Sequence, residues 1–443
     1  MWTPKLESGV SKPTAIVRAL RRAIESGELR ANDRLPPQRE LAYALGVNLS
    51  TITRAINEAT KEGLVSGEVG RGTFIMPASE PARLFAETIG RSDMIDLSTI
   101  VPPLIIGEKI AKEMHRVIDE EEDLFRYPSP QHLQRAREAV RDWLRWRGME
   151  RPDFNIALTV GAQAALHAVI GSVMRSGQTL LTEEFTFPGI KTVAQLTGVR
   201  LHGVGCDHEG LLPDALEQAC RMTGAKVLVA VPNMQNPTGT VMRKARRAEI
   251  AKVIAKHGIT LIEDDVYGSY AEEPPLATEV TGEHIIISSL SKCVSPALRF
   301  GFVAGNHPIV KNLEADPATT SWFASAVPLL VATRFLLSQE AMRMAEMQSR
   351  EVQERWRLVQ RFFPSAPDMP ATHLWLSVDN ANDYTKRAQD RGVGVVTSSH
   401  FSTSRRREDF VRCSITSEAD SQRLSQGLAI LKSLGATPVY SRH

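Results

Sequence analysis

The chain has 443 residues, 42% of them apolar and 23% charged, with a formal net charge of +2. This length predicts two or more domains, and the composition is that of a soluble globular protein rather than a disordered or membrane chain. The longest apolar stretch, Val327–Leu337, is one helix long and contains Arg334. The opening MWTPKLESG lacks the apolar core of a signal peptide, and Cys206, Cys220, Cys293 and Cys413 fit neither a zinc pattern nor a disulfide framework, so a cytoplasmic setting with no membrane contact is expected.

Residues 1–77 carry 11 Lys/Arg against 8 Asp/Glu, a surplus of +3 over a remainder at −1. Pro13 opens a helical pattern with Ile16, Val17, Leu20 and Ile24 on one face and Gly27 at its stop. The segment LPPQRELAYALGV reads as a second helix turning at Gly46. Asn48 is the expected N-cap of a third, whose Ile52 and Ile56 point inward. Leu64-Val65 and Thr73-Phe74-Ile75 then flank a turn at Gly67–Gly72, as two short strands.

Three helices alone fit a packing hairpin as well as a DNA reader. Adding the hairpin gives a winged helix-turn-helix, whose recognition helix places its N-terminal side chains at base edges in the major groove. Those side chains are Asn48, Ser50, Thr51 and Arg54, with Arg39 and Arg71 reaching phosphates or groove edges. The run LPPQRELAYALGV…TITRAI…EGLV…GRGTFI resembles the GntR family of bacterial regulators, with Leu49 standing where that family has Arg or Lys. Residues 78–92 read as a linker.

From residue 93 to 443, apolar runs alternate with helical stretches, which predicts an α/β domain with a mostly parallel sheet. Ligands of such sheets gather beyond the C-terminal strand ends. Chemically matched groups fall there: Gly161 after IALTV, Glu184–Phe187 after TLLT, Asn236 after VLVAVP, Asp264 after TLIE, Lys292 after IIISSLS.

Each group fits one part of pyridoxal 5′-phosphate (PLP). Lys292 supplies an amine for a Schiff base with the aldehyde carbon. Asp264 is the partner for the ring nitrogen, and Tyr267 with Asn236 for the phenolic oxygen. Ser289, Ser291 and Arg299 converge on the phosphate, aided by the amides of Gly161, Ala162 and Gln163 at a helix N-terminus. Phe187 is placed to stack on the ring.

Taken singly these signals are weak. Ser-x-x-Lys also marks the nucleophile of penicillin-binding proteins, although neither Ser-Asp-Asn nor Lys-Thr-Gly accompanies it here. An acidic triplet also suits magnesium, NPTG also makes a plain turn, and Phe187 alone also suits a core. Their joint order favours the cofactor, and no metal site is expected.

The ordered set Tyr127, TVGAQ, TFPG, NPTG, DDVY, SLSK-to-Arg299 and VRCS resembles the fold-type I aminotransferases over residues 93–443. With the winged helix ahead of it, the whole chain resembles the MocR/GabR subfamily of GntR regulators. That resemblance implies an α/β, PLP-dependent aminotransferase-like domain. It also implies that Arg412 grips a substrate carboxylate, and that Tyr127 reaches the phosphate bound by the partner subunit of a homodimer. His132 stands where that family has glycine.

Two functions follow as expectations. The first is a transcriptional regulator that binds a double-stranded DNA operator and senses a small amino compound, or PLP itself, at Lys292. The second is a working aminotransferase that carries a DNA-binding module.

Overall fold

The computed structural model describes residues 2–4, 6–7, 9–25, 28–29, 33–61, 64–68, 72–75, 94–104, 106–121, 124–149, 154–316, 320, 324–404 and 409–439. The chain forms two compact units, Met1–Ala82 and Arg83–His443. The expected linker at 78–92 and Arg71 of the wing lie outside the described residues.

In the first unit, α1 (Lys12–Glu25), α2 (Gln38–Ala44) and α3 (Leu49–Lys61) precede a hairpin of β1 (Val65–Glu68) and β2 (Gly72–Ile75). The hairpin is antiparallel, with Val65 opposite Ile75. Apolar residues at helical spacing bury one stripe of each helix. Ile16 and Leu20 of α1, Leu41 of α2 and Ile52, Ala55 and Ile56 of α3 meet Val65 and Ile75 in one core. Gly46 takes φ +60 between α2 and α3, a left-handed turn that glycine adopts without the usual Cβ penalty. Thr53 Oγ1 donates to Gln38 Oε1 at 3.0 Å, tying α3 to α2.

The second unit is built on a seven-stranded sheet. Its described elements include α4 (Pro130–Trp146), β3 (Asn155–Thr159), α5 (Ala162–Val173), β4 (Thr179–Glu183), α6 (Pro188–Thr197), β5 (Arg200–Val204), β6 (Val227–Ala230), α7 (Lys244–His257), β7 (Thr260–Asp264), β8 (His284–Ser289) and β9 (Gly301–Gly305). Strand order is β3-β9-β8-β7-β6-β4-β5. The pairs from β8 to β5 are parallel, and β9 runs antiparallel to both neighbours. Every residue of β6 and of β8 is buried. A strand covered on both faces reads as an unbroken apolar run, which is how VLVA and HIII look in the sequence.

The sequence reading found β3, β4, β6, β7 and β8, but not β5 or β9. RLHGV is exposed or half-buried over four of its five positions, and GFVAG is glycine-rich, so neither carries a strong strand signal. The C-terminal part holds a second sheet, also unforeseen, of β10 (His373–Ser377), β11 (Val396–Thr397), β12 (Phe410–Ser414) and β13 (Thr437–Pro438), ordered β11-β12-β10-β13. It has its own core, including Leu374, Leu376, Tyr384, Val411 and Leu428.

Candidate cofactor site and DNA-reading face

The C-terminal ends of β7 and β8 carry the central groups. Asp264 closes β7 and is 6% exposed. Its Oδ1 accepts from Val266 N at 3.2 Å. Burial, with Asp265 nearby, pushes the Asp264 carboxyl up to about 7, against the pull of its backbone bond and of Lys292. Lys292 follows β8. Its Nζ donates to the Ile100 carbonyl at 2.6 Å and sits 6.0 Å from the centre of the Tyr267 ring. Burial, reinforced by Arg412, lowers this amine to about 8. An amine with a depressed pKa is more often neutral, which is the nucleophilic form. Tyr270 Oη donates to the Lys292 carbonyl at 2.5 Å and fixes the backbone at this point.

Arg412, on β12, is 3% exposed. Its Nη1 donates to Asn236 Oδ1 at 2.8 Å, its Nη2 to the Ser98 carbonyl, and its guanidinium lies 5.0 Å from the Phe401 ring centre. Its Nε is buried and has no partner among the described residues. Burial brings this guanidinium down to about 10. A buried, incompletely paired cation is costly until an anion reaches it.

A third cluster forms where β3 and β8 end and β9 begins. Gly161 has φ +82, and a Cβ there would lie 2.7 Å from Arg299 Nη2. Arg299 itself takes the left-handed φ of +46, rare for a side-chain-bearing residue and stored at functional sites. Its Nη2 donates to the Val160 carbonyl at 3.2 Å. Ser289 is buried, and its Oγ accepts from Ser291 N at 3.2 Å. Ala162 and Gln163 open α5, whose free amides face the same end. Gln163 Nε2 donates to the Gly189 carbonyl at 3.2 Å. A Cβ on Gly189 would stand 2.3 Å from Phe187 Cε1, so glycine there leaves room for that ring.

The structure thus brings Lys292, Asp264, Tyr267, Asn236 and Arg412 to one place, with Arg299, Gly161 and Ser289 beside them. Tyr127 is 70% exposed rather than enclosed with these groups. His132 supports the chain just after it. Ser129 Oγ accepts from His132 N at 3.2 Å while Ser129 N donates to His132 Nδ1 at 3.4 Å, a reciprocal cap at the start of α4.

Sequence reasoning missed several contributors. The carbonyls of Ser98 and Ile100 hold Arg412 and Lys292, and a backbone acceptor leaves no mark in residue identity. His373, at the start of β10, lies 6.1 Å from the Tyr267 ring centre and bonds the Gln235 carbonyl at 2.9 Å. Burial and Arg412 drive it down to about 3, so it stays neutral. Its signal, a lone histidine on an apolar strand, is indistinguishable from a core residue.

In the first unit Arg39, Asn48, Ser50 and Arg54 are exposed and Thr51 is half-buried, all on α2 or at the head of α3. Leu49 is 43% exposed beside them.

Residues 92–428 match the family model "aminotransferase class I and II", and residues 13–75 match "bacterial regulatory proteins, gntR family". The chain belongs to the class I and II aminotransferase family, with a GntR helix-turn-helix, a DNA-binding module, at its N-terminus. That is the MocR/GabR arrangement expected from the sequence.

The chain is 28% identical to the HTH-type transcriptional regulator YdeF of Bacillus subtilis, over 98% of this chain and 96% of that one. It is 27% identical to the vitamin B6 salvage pathway transcriptional repressor PtsJ of Salmonella typhimurium, over 66% of this chain and 67% of that one. Among solved structures, the α-aminoadipate aminotransferase LysN of Thermus thermophilus aligns with TM-score 0.70 at 22% identity, over 80% of this chain and 94% of that one. The kynurenine aminotransferase of Pyrococcus horikoshii aligns with TM-score 0.71 at 20% identity, over 80% and 93%. Both show the same fold as the second unit.

This family uses PLP, and the residues present fit it. The buried Arg412 Nε without a partner, the glycine-lined cup against Arg299, and an amine with a carboxylate nearby form the donor set that the cofactor and a carboxylate ligand need. When bound, the cofactor supplies an aldehyde carbon and an electron-withdrawing ring. Among the described residues no cluster could hold a metal ion, and no helix is long and apolar enough to cross a membrane.

Proposed function

We propose that this GntR-type, PLP-dependent protein is a transcriptional regulator whose second unit senses a small amino compound at Lys292. The observation that carries this reading is the juxtaposition of Lys292 and Arg412. A half-buried amine with a lowered pKa stands near a buried guanidinium whose Nε has no partner among the described residues, which suits a ligand bearing both an amine and a carboxylate. YdeF, matched over nearly its whole length, is named a transcriptional regulator, which favours regulation over turnover.

Under this reading residues 1–77 read DNA, 78–92 link, and 93–443 hold the cofactor. Lys292 holds it covalently, Asp264 faces the ring nitrogen, and Tyr267 and Asn236 face the ring oxygen. Phe187 covers the ring, while Ser289, Ser291, Arg299 and the 161–163 amides take the phosphate. Arg412 takes the ligand carboxylate, and Tyr127 serves the site of a second copy. An incoming amine competes with Lys292 for the aldehyde carbon. A ligand that favours one arrangement of the chain shifts operator affinity by a coupling of about 1–3 kcal/mol. Two heads in a dimer would meet two half-sites.

The name of PtsJ supports a variant in which PLP is itself the signal. The test is operator binding by the full chain without PLP, with PLP, and with PLP plus amines. Equal affinity in all three overturns sensing. A change on PLP alone selects the variant. Steady production of a keto acid from many amino donors would instead make the chain an aminotransferase.

A further inference from the structure

Phe187 caps α6 and Lys191 stands four residues later, on the same face of the chain's entry into that helix. Lys191 Nζ donates to the carbonyls of Ser399 at 3.2 Å and His400 at 2.8 Å. That turn leads directly into Phe401, the ring that lies against the Arg412 guanidinium. The Lys191 amine is therefore built into the wall between the Phe187 ring and the Arg412 end of the site.

Two carbonyls take two of the three N–H donors of an ammonium group, leaving one. Lys191 and His400 are both half-buried, and among the described residues neither pairs with a carboxylate. The charges acting on His400 are Lys191 and Arg412, both cations. Burial lowers Lys191 to about 8 and His400 to about 4. Arg412 feels the Asp96 carboxylate, whereas Lys191 is a cation with no carboxylate beside it among the described residues, a standing attraction for an anion.

Arg412 accounts for one acidic group on a ligand. We propose that Lys191, held by the Ser399–His400 turn, binds a second one, so that the effector is an amino compound with two acidic groups. The distal group is a carboxylate, phosphonate or sulfonate. This assignment rests on the reading that the second unit senses an amino compound.

The competing role for Lys191 is that of a strut that pins the 398–400 turn. The two differ in their dependence on ligand charge. Full-length, cofactor-loaded protein is titrated while the visible band is followed. The probes are L-glutamate and L-2-aminoadipate, against L-norvaline and L-norleucine, which match them in carbon count but lack the second carboxylate. The expected result is half-saturation at least tenfold lower for a diacid than for its partner. Lys191→Met is expected to erase that preference while leaving the monoacids unchanged, and Lys191→Arg to keep it. Equal half-saturation of diacids and monoacids in the unmodified protein overturns the assignment without any variant. A Lys191→Met protein weakened equally toward both also overturns it, in favour of the strut. A band that no amine perturbs overturns the sensing reading itself, and this assignment with it.

Discussion

Arg412 Nη1 donates to Asn236 Oδ1 at 2.8 Å, joining the smaller sheet to the loop that follows β6. The bond orients the guanidinium while leaving its Nε unmatched. A neutral amide in that position holds the cation without satisfying its charge. Arg412→Gln is accordingly expected to raise the half-saturation of carboxylate-bearing amines ten- to hundredfold, the worth of a charge-assisted bond at about 1.5–3 kcal/mol. Amines without a carboxylate should respond as before. An equal loss for both classes, read from the visible band, would contradict this role.

Lys292→Ala should abolish the visible band of the cofactor-loaded protein. Borohydride treatment followed by peptide mapping locates the modified lysine. Labelling at Lys191 instead would reassign the attachment point.

Arg54→Ala should weaken operator binding by about 1–3 kcal/mol and leave the visible band untouched, because Arg54 is exposed on the recognition helix and belongs to the other unit. An unchanged mobility-shift titration would remove Arg54 from the DNA-reading set.

Beneath the site, Arg147 Nε lies 3.3 Å from Asp265 Oδ2, and Arg147 is 6% and Asp265 2% exposed. Asn233 Nδ2 also donates to Asp265 at 2.9 Å, and Arg247 Nη2 donates to Asn233 Oδ1 at 2.6 Å. Removing one member strands buried charge, so Arg147→Ala should cost about 3–5 kcal/mol in urea unfolding. A loss under about 1 kcal/mol would show that water or a neighbour replaces it.

Glu183 carries a pH signature. Its Oε1 accepts from Val231 N at 2.6 Å, yet burial holds the carboxyl at about 7 instead of 4.5. The folded chain keeps a proton that the unfolded chain releases, so stability falls as pH rises from about 4.5 to 7 and the loss is complete above that. Glu183→Gln should flatten this part of the profile, by about 3–4 kcal/mol at 1.4 kcal/mol per pH unit. Identical slopes for variant and parent between pH 5 and 8 would exclude Glu183 as the source.

Much of this molecule was legible because its key residues end strands that are themselves unmistakable. Lys292 follows HIIISS and Asp264 closes TLIED, and continuous apolar runs of this kind announce buried parallel strands. The head was equally readable, since Ile52 and Ile56 keep helical spacing and Gly46 marks the turn. What escaped was written in less specific terms. The Ile100 and Ser98 carbonyls have no residue signature, and β9 hides in a glycine-rich run. Lys191 carries no signal in the sequence because its partners, the 399 and 400 carbonyls, lie some 200 positions away.

Gly301 pairs with Thr159 on one side and Ser289 on the other, and a Cβ on it would lie 2.6 Å from the Gly161 carbonyl carbon. The recess proposed to take the phosphate is thus a rung of the central hydrogen-bond ladder rather than a loop resting on it. Breathing of the periphery leaves such a recess intact, and widening it means tearing three neighbouring strands apart.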